Sequence, residues 1–464
     1  MTAAQRLAEW TGCLQLDEVP TEVAEAAKLH LLDTLGCGLA AAALGIAAEG
    51  RETMAELGGE AQATVIGRPG LPAPNAAFAN AMLCHGLDFD DTHSDSIAHV
   101  SVVTCPAALA VAEAGGASGR DALAAIVAAN EVVTRVGMAA TGRFHARGFH
   151  PTAVCGIFGA TTAAARLGGL GAERAASALG IAGSLASGLF AYLEDGTATK
   201  PIHPGWAAHG GLVAARLAAH GASGPPSIFE GKFGLYHAFL GAGKDEVDLD
   251  AQLADLGTRW ETPRIAFKPY PACHFMHGAV GATAEAGAGG LRPEDVDEIV
   301  VTVPAAGVDL VLEPADKKVA PRTTYEAKFS LQYSAAAMVV HGRCGVTTYA
   351  DEAIRDPEVL ELAERVRYET KDYPTYPAAF PGGVRITTRD GRTLEADLPH
   401  QRGGPENPMT AGEVREKYRE NAGLALGPEA VEVLEEAVIA LEEQEDLRAA
   451  LAPLSAAARE RAPA

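Results

Sequence analysis

Residues 21–42, TEVAEAAKLHLLDTLGCGLAAA, repeat apolar residues at helical spacing and fill much of that stripe with alanine and glycine. Helices with such small side chains exclude water only by packing closely against one another. The stretch follows Pro20, which predicts a helix capped by Thr21. Residues 119–140 repeat the pattern, with Glu131 and Arg135 spaced as an i,i+4 pair. Residues 156–169 and 172–193 continue it. Aromatic residues are only 6% of the chain, which favours packed helices over a β-sandwich. No internal repeat of fixed period interrupts this first half.

The pattern breaks near residue 267. DVDEIVVTVPA (295–305) is rich in β-branched residues and predicts a strand. GGVRITTRDGRTLEADLP (382–399) predicts a hairpin, with Asp390-Gly391 supplying the positive φ angles of a tight turn. Helical patterns run between them through KFSLQYSAAAMVVHG and DPEVLELAERV. Helix then returns, with Thr410 and Glu413 spaced as a capping box and 427–451 patterned as one long amphipathic helix. The expected fold class is mainly α with an inserted α+β lid. Residues 1–266 and 405–464 form a discontinuous all-helical domain, and 267–404 form the smaller α/β domain. The charged tail 455–464 is expected to fray.

Composition narrows the function. The 464 residues carry a formal net charge of −23 with no basic stripe, which argues against nucleic acid. An acidic substrate would need a local cationic pocket in this negative protein. The seven cysteines are odd in number and form no CxxC pair, so they suggest neither a disulfide framework nor a Cys-rich metal centre. A reducing, cytoplasmic setting is the expectation. No apolar run reads as a signal peptide or membrane span.

Five stretches mix Gly, Pro or His into apolar helix, as loops do when they deliver polar groups to a cleft. GLDFDDTHSDSIAHVS (86–101) carries Asp88, Asp90, Asp91, Thr92, His93 and His99. ARGFHPTAVCG (146–156) carries His150, and TATKPIHPGWAAHGG (197–211) carries Lys200, His203 and His209. KPYPACHFMHGAVG (268–281) carries His274 and His277, and KFSLQYSAA (328–336) carries Tyr333. Each also has an ordinary structural reading. The histidines and Tyr333 could be core residues, Lys200 a surface lysine at a turn, and the three aspartates helix caps.

Taken in order, LLDTLGCGLA (31–40), HGLDFDDTH (85–93), GFHPTAVCG (148–156), TKPIHPGWAAHG (199–210), KPYPACHFMHGAV (268–280), FSLQYSAA (329–336) and GPENPMT (404–410) resemble the MmgE/PrpD family across nearly the whole chain. That family includes 2-methylcitrate dehydratases, cis-aconitate decarboxylases and an iminodisuccinate epimerase. The resemblance implies a large helical domain, a smaller lid domain, a homodimer, and a site in the inter-domain cleft without metal or organic cofactor. Its active-site positions match Asp88, Thr92, His99, His150, Lys200, His277 and Tyr333. Two departures stand out. The 93–98 segment differs from the dehydratases' version, and His274 stands where many members have an arginine suited to clamp a carboxylate.

The resemblance implies proton transfer at the carbon beside a carboxylate, which needs a positioned acid/base and fixed donors where charge develops. His99 is the first choice for acid/base and Asp88 for orienting a histidine. Lys200, His150, His277 and His274 are candidates to hold the anion, with Thr92 and Tyr333 positioning it or donating a proton. The expected function is a cofactor-independent lyase on a small di- or tricarboxylate, led by a 2-methylcitrate dehydratase-like hydro-lyase. A dicarboxylate epimerase, a cis-aconitate-type decarboxylase and a non-catalytic polycarboxylate-binding protein are the alternatives. A diphosphate-binding Mg²⁺ site built on DDTHSD would need a second acidic motif, which the region of Asn130 and Thr134 lacks.

Overall fold

The structure, a computed structural model, describes residues 1–195, 197–241, 246–376 and 378–457. The tail expected to fray lies outside the described residues from 458 onward. The chain divides into two compact units. One comprises Met1–Ala266 and the segment resuming at Thr410, and the other is Phe267–Met409.

The first unit is built from α1 (Thr21–Ala43), α2 (Ala73–His85), α3 (Ser101–Gly115), α4 (Gly119–Met138), α5 (Pro151–Leu167) and α6 (Ile202–Ala219). The centre of this unit is α5, with every residue from Pro151 to Ala165 buried. Helices α3, α4 and α6 pack against it, and α2 packs on α3 and α6. The small residues set the spacing. A Cβ on Gly211 of α6 would fall 2.5 Å from Ala160 Cβ of α5, so only glycine permits this approach. Pro20, not Thr21, is the N-cap of α1, and its carbonyl accepts from the Val23 and Ala24 amides at 2.9 and 3.2 Å. Proline's fixed φ ends the preceding extended chain, and the helix starts at the next residue.

The all-helical expectation for this unit needs correcting at one place. Strands β1 (Ala63–Val65) and β2 (Arg68–Leu71) form a two-stranded antiparallel ribbon. The stretch predicted as one helix over 427–451 is also broken. Helix runs from Pro428 to Ile439, a 3₁₀ turn covers Leu441–Glu443, and a new turn starts at Leu447. The break has a cause in hydrogen bonding. The Asp446 carboxylate accepts from the Arg448 and Ala449 amides, while the Gln444 carbonyl accepts from Gly119 NH at 2.7 Å. Thr410 and Glu413 do form the capping box of helix Ala411–Ala422.

The second unit holds a four-stranded sheet in the order β4-β3-β5-β6, with β3 at Val296–Val303, β4 at Val366–Thr370, β5 at Gly382–Thr388 and β6 at Thr393–Leu398. Strand β3 runs parallel to β4 and antiparallel to β5, pairing Ile299 with Ile386 and Val301 with Val384. The β5–β6 hairpin turns through three residues, because Thr388 and Arg392 still pair. Only Gly391 takes a positive φ, 85°, so the turn is a three-residue loop closed by a left-handed glycine. Helices α7 (His277–Gly287) and α8 (Leu331–His341) pack together, and α7 covers β5 and β6. Val296, Ile299, Val301, Met276, Val280, Leu331 and Tyr333 lie in the core between sheet and helices.

Candidate active site

The loop from Gly86 to Val100 follows α2 and precedes α3, and it gives Asp88, Asp90 and Asp91 each a different task. Asp91 is the helix cap: its Oδ1 accepts from the amides of Val100 and Ser101 at 3.3 and 3.2 Å, at the start of α3. Its Oδ2 lies 2.9 Å from His30 Nδ1 on α1. Asp88 sits at φ 54°, a left-handed conformation that aspartate tolerates better than most residues. Its Oδ1 accepts from Lys200 Nζ at 2.8 Å. Asp90 is fully buried and faces two imidazoles, with Oδ2 2.9 Å from His85 Nδ1 and 2.8 Å from His99 Nδ1. The residue that orients His99 is therefore Asp90, while Asp88 lies 3.9 Å from His99 Nε2.

Electrostatics assigns the protons. Burial alone would raise the Asp90 carboxyl, but His85 and His99 outweigh it and hold it well below the usual carboxylate range. Burial pushes His85 down to about 4 against the pull of Asp90, so His85 is neutral at physiological pH. An ionised Asp90 accepts from Nδ1–H of both imidazoles. The opposite nitrogens then carry the chemistry. Among the described residues, His85 Nε2 is buried without a hydrogen-bond partner.

Two further segments close on this loop. His150 precedes Pro151 at the start of α5, is 3% exposed, stacks on His85 with ring centroids 5.9 Å apart, and meets His99 edge to face at 6.1 Å. Its Nδ1 lies 3.0 Å from His203 Nδ1 on α6. One of these nitrogens donates and the other accepts, so the two rings are locked in complementary tautomers. Burial keeps both neutral, with His203 lowered to about 4 and His150 well below its ordinary value. Lys200 lies just before α6. Burial opposes its charge, yet Asp88 beside it outweighs that cost and holds the ammonium above the usual lysine range. Thr92 is fixed by paired backbone hydrogen bonds with Ala266, both 2.9 Å, and its Oγ1 lies 3.5 Å from His99 Nδ1.

Thus Asp88, Thr92, His99, His150 and Lys200 converge within the first unit. His85, Asp90 and His203 join them, although the sequence reading gave them no individual role. The signals were weak: His85 and His203 stand inside the quoted HGLDFDDTH and TKPIHPGWAAHG blocks, but nothing in their spacing shows that one shares a carboxylate and the other faces His150. His274, His277 and Tyr333 lie in the second unit. There His277, wholly buried, donates from Nε2 to the Ala272 carbonyl at 3.1 Å, and His274 stacks on Phe380 and meets His277 edge to face at 4.6 Å. The Tyr333 hydroxyl points into that unit's core, donating towards the carbonyls of Thr348 at 2.7 Å and Ala353 at 3.2 Å. Asn130 and Thr134, the region tested for a second metal motif, are spent inside the helix layer: Asn130 accepts from Thr104 at 2.7 Å and Thr134 donates to the Asn130 carbonyl at 2.8 Å.

A buried cluster of carboxylates, imidazoles and one ammonium, mounted on a packed helical unit, can shuttle protons beside a bound carboxylate. The chain belongs to the MmgE/PrpD family: residues 5–248 match the model of the MmgE/PrpD N-terminal domain and residues 270–443 that of the C-terminal domain. It is similar to the cis-aconitate decarboxylase of Homo sapiens, at 30% identity over 450 residues, covering 93% of this chain and 90% of the relative. The cis-aconitate decarboxylase of Mus musculus is 29% identical over 93% of this chain and 89% of its own length. That of Aspergillus terreus is 26% identical over 95% and 93%.

Proposed function

We propose that this chain is a lyase that removes CO₂ from a small unsaturated tricarboxylate of the cis-aconitate type. The observation that carries the reading is His99, held by Asp90 on one nitrogen and facing the Asp88–Lys200 pair on the other, in a chain similar along its length to decarboxylases of that substrate. Sequence alone put water loss first. The matched relatives move decarboxylation ahead of it.

The chemistry follows from where charge must go. When the carboxymethyl arm of such a substrate loses CO₂, the breaking C–C bond leaves its electron pair on the allylic carbon. That pair shifts the double bond and spreads into the carboxylate at the far end. A proton must then be placed on the carbon beside that carboxylate, giving methylenesuccinate. His99 Nε2 is the donor in this reading. The Asp90 carboxylate behind Nδ1 fixes its ring and compensates the charge whenever the imidazole carries the proton. Lys200 meets the carboxylate on which charge accumulates, and Asp88 positions that ammonium. Neutral His150, with Thr92, contributes hydrogen bonds without adding a second cation. Tyr333, whose hydroxyl is spent on backbone carbonyls, is assigned a structural role.

The test is incubation of purified protein with cis-aconitate in D₂O. CO₂ should be released, and the product should carry one deuterium on the methylene beside a carboxylate. An inert cis-aconitate, with water lost instead from a hydroxytricarboxylate, would return the dehydratase reading to first place.

A further inference from the structure

We propose that His85, His99 and His150 form a binding site for a divalent transition ion of the zinc type, and that occupation of this site switches the enzyme off. One ligand nitrogen from each ring lies within 4.8 Å of the others. All three residues are buried, at 1%, 8% and 3% exposure. Zinc binds imidazole nitrogen at about 2.0–2.1 Å, so the three nitrogens would have to draw together to share one ion. Magnesium and calcium prefer oxygen ligands and are poorly matched to three imidazoles.

Three details fit a metal better than an arbitrary histidine cluster. The nitrogen of His85 that points away from Asp90, Nε2, is buried with no hydrogen-bond partner among the described residues, and a metal would give it one. Each ring is also held from behind: Asp90 accepts from Nδ1 of both His85 and His99, and His203 faces Nδ1 of His150. Carboxylate-backed histidines are the usual outer support of a zinc site. Finally, Asp88 and Asp90 outnumber the single ammonium of Lys200 around the cluster, leaving a local negative charge for a cation. The fourth position would be left to water or a carboxylate.

An ion on His99 Nε2 occupies the position from which the proton is delivered, so binding and turnover exclude each other. This inhibitory half rests on the function proposed above; the binding half does not. Protein stripped with a chelator and titrated with Zn²⁺ against a competing indicator should bind one ion per chain with Kd below ~1 μM. His85→Ala should weaken binding at least ~100-fold, while His209→Ala, outside the cluster, should not change it. X-ray absorption of the zinc-loaded wild type, which needs no variant, should show three imidazole nitrogens at about 2.0–2.1 Å. Absence of 1:1 binding, fewer than three imidazoles, or unchanged affinity in a folded His85→Ala protein overturns the site. Binding with no loss of CO₂ release overturns the inhibitory half, and with it His99 as the proton donor.

Discussion

The Asp90 carboxylate lies 2.8 Å from His99 Nδ1 and shares its remaining capacity with His85. One buried acid therefore sets two imidazoles, and an amide in its place keeps an acceptor oxygen but loses the charge that compensates a protonated ring. Asp90→Asn should lower kcat on the order of 10²-fold or more with KM nearly unchanged, since positioned acid catalysis is worth about that much. Wild-type kinetics in Asp90→Asn would leave the orientation of His99 without a catalytic role.

Lys200→Ala removes the ammonium and leaves Asp88 without its 2.8 Å partner. Loss of a hydrogen bond to a charged group costs about 1.5–3 kcal/mol, so kcat/KM should fall at least about tenfold. The melting curve should barely move, because both side chains are partly exposed, at 24% and 23%. Unchanged kinetics would return Lys200 to an ordinary surface lysine.

Glu261 carries a prediction about acid. Its buried carboxylate accepts from His93 Nε2 at 3.3 Å and so holds the 86–100 loop. Burial raises its pKa, but His93 and Arg259 outweigh it, and the folded value lies below the ordinary 4.5. A lowered folded pKa means stability that is present above about 4.5 and lost as pH falls through the folded value. Tm should drop on going from pH 5.5 to 3.5, and Glu261→Gln, which cannot ionise, should show a smaller drop. Equal drops in the two proteins would remove Glu261 as a source of acid sensitivity.

The proposed reaction needs only groups the chain supplies. Exhaustive chelation should leave CO₂ release undiminished, and added zinc should suppress it. Activity lost on chelation and restored by Mg²⁺, Zn²⁺ or Fe²⁺ would refute proton transfer by side chains alone.

Lys417 tests the support beneath the loop. It is 7% exposed and reaches Asp33 at 2.7 Å, the Phe89 carbonyl at 2.8 Å and the Phe89 ring centroid at 3.8 Å. Lys417→Met strands a buried carboxylate and should cost about 3–5 kcal/mol. Adding Asp33→Asn should recover part of that in a denaturant melt. Additive losses would show that the two residues act separately.

What the sequence reveals, and what it hides, follows from range. The break near 267 is legible because the hydrophobic period changes there from helical to alternating. Strand β4 was missed because VRYET is charged and short, and it becomes a strand only by pairing with β3. The 427–451 pattern looks continuous because its break depends on Gly119, which packs against it from far away in the chain. In the site, DFDDTH advertises three acids but cannot say which does what. Asp91 finds partners within ten residues and was foreseen as a possible cap, whereas Asp88 depends on Lys200, 112 residues on. Tyr333 matched a family position, yet its hydroxyl is spent on backbone carbonyls that no spacing rule could have named.

The hydrogen bond from Lys417 to Phe89 spans 328 residues of chain. On a ribosome the DFDDTH loop emerges long before the lysine that braces it, and at typical elongation rates the delay is on the order of tens of seconds. For that interval the loop has its carboxylates but not the cation beneath them. A nascent chain released before residue 417 would carry nearly every group of the candidate cluster and still lack its brace, so the loop gains its full support only once residue 417 has been made.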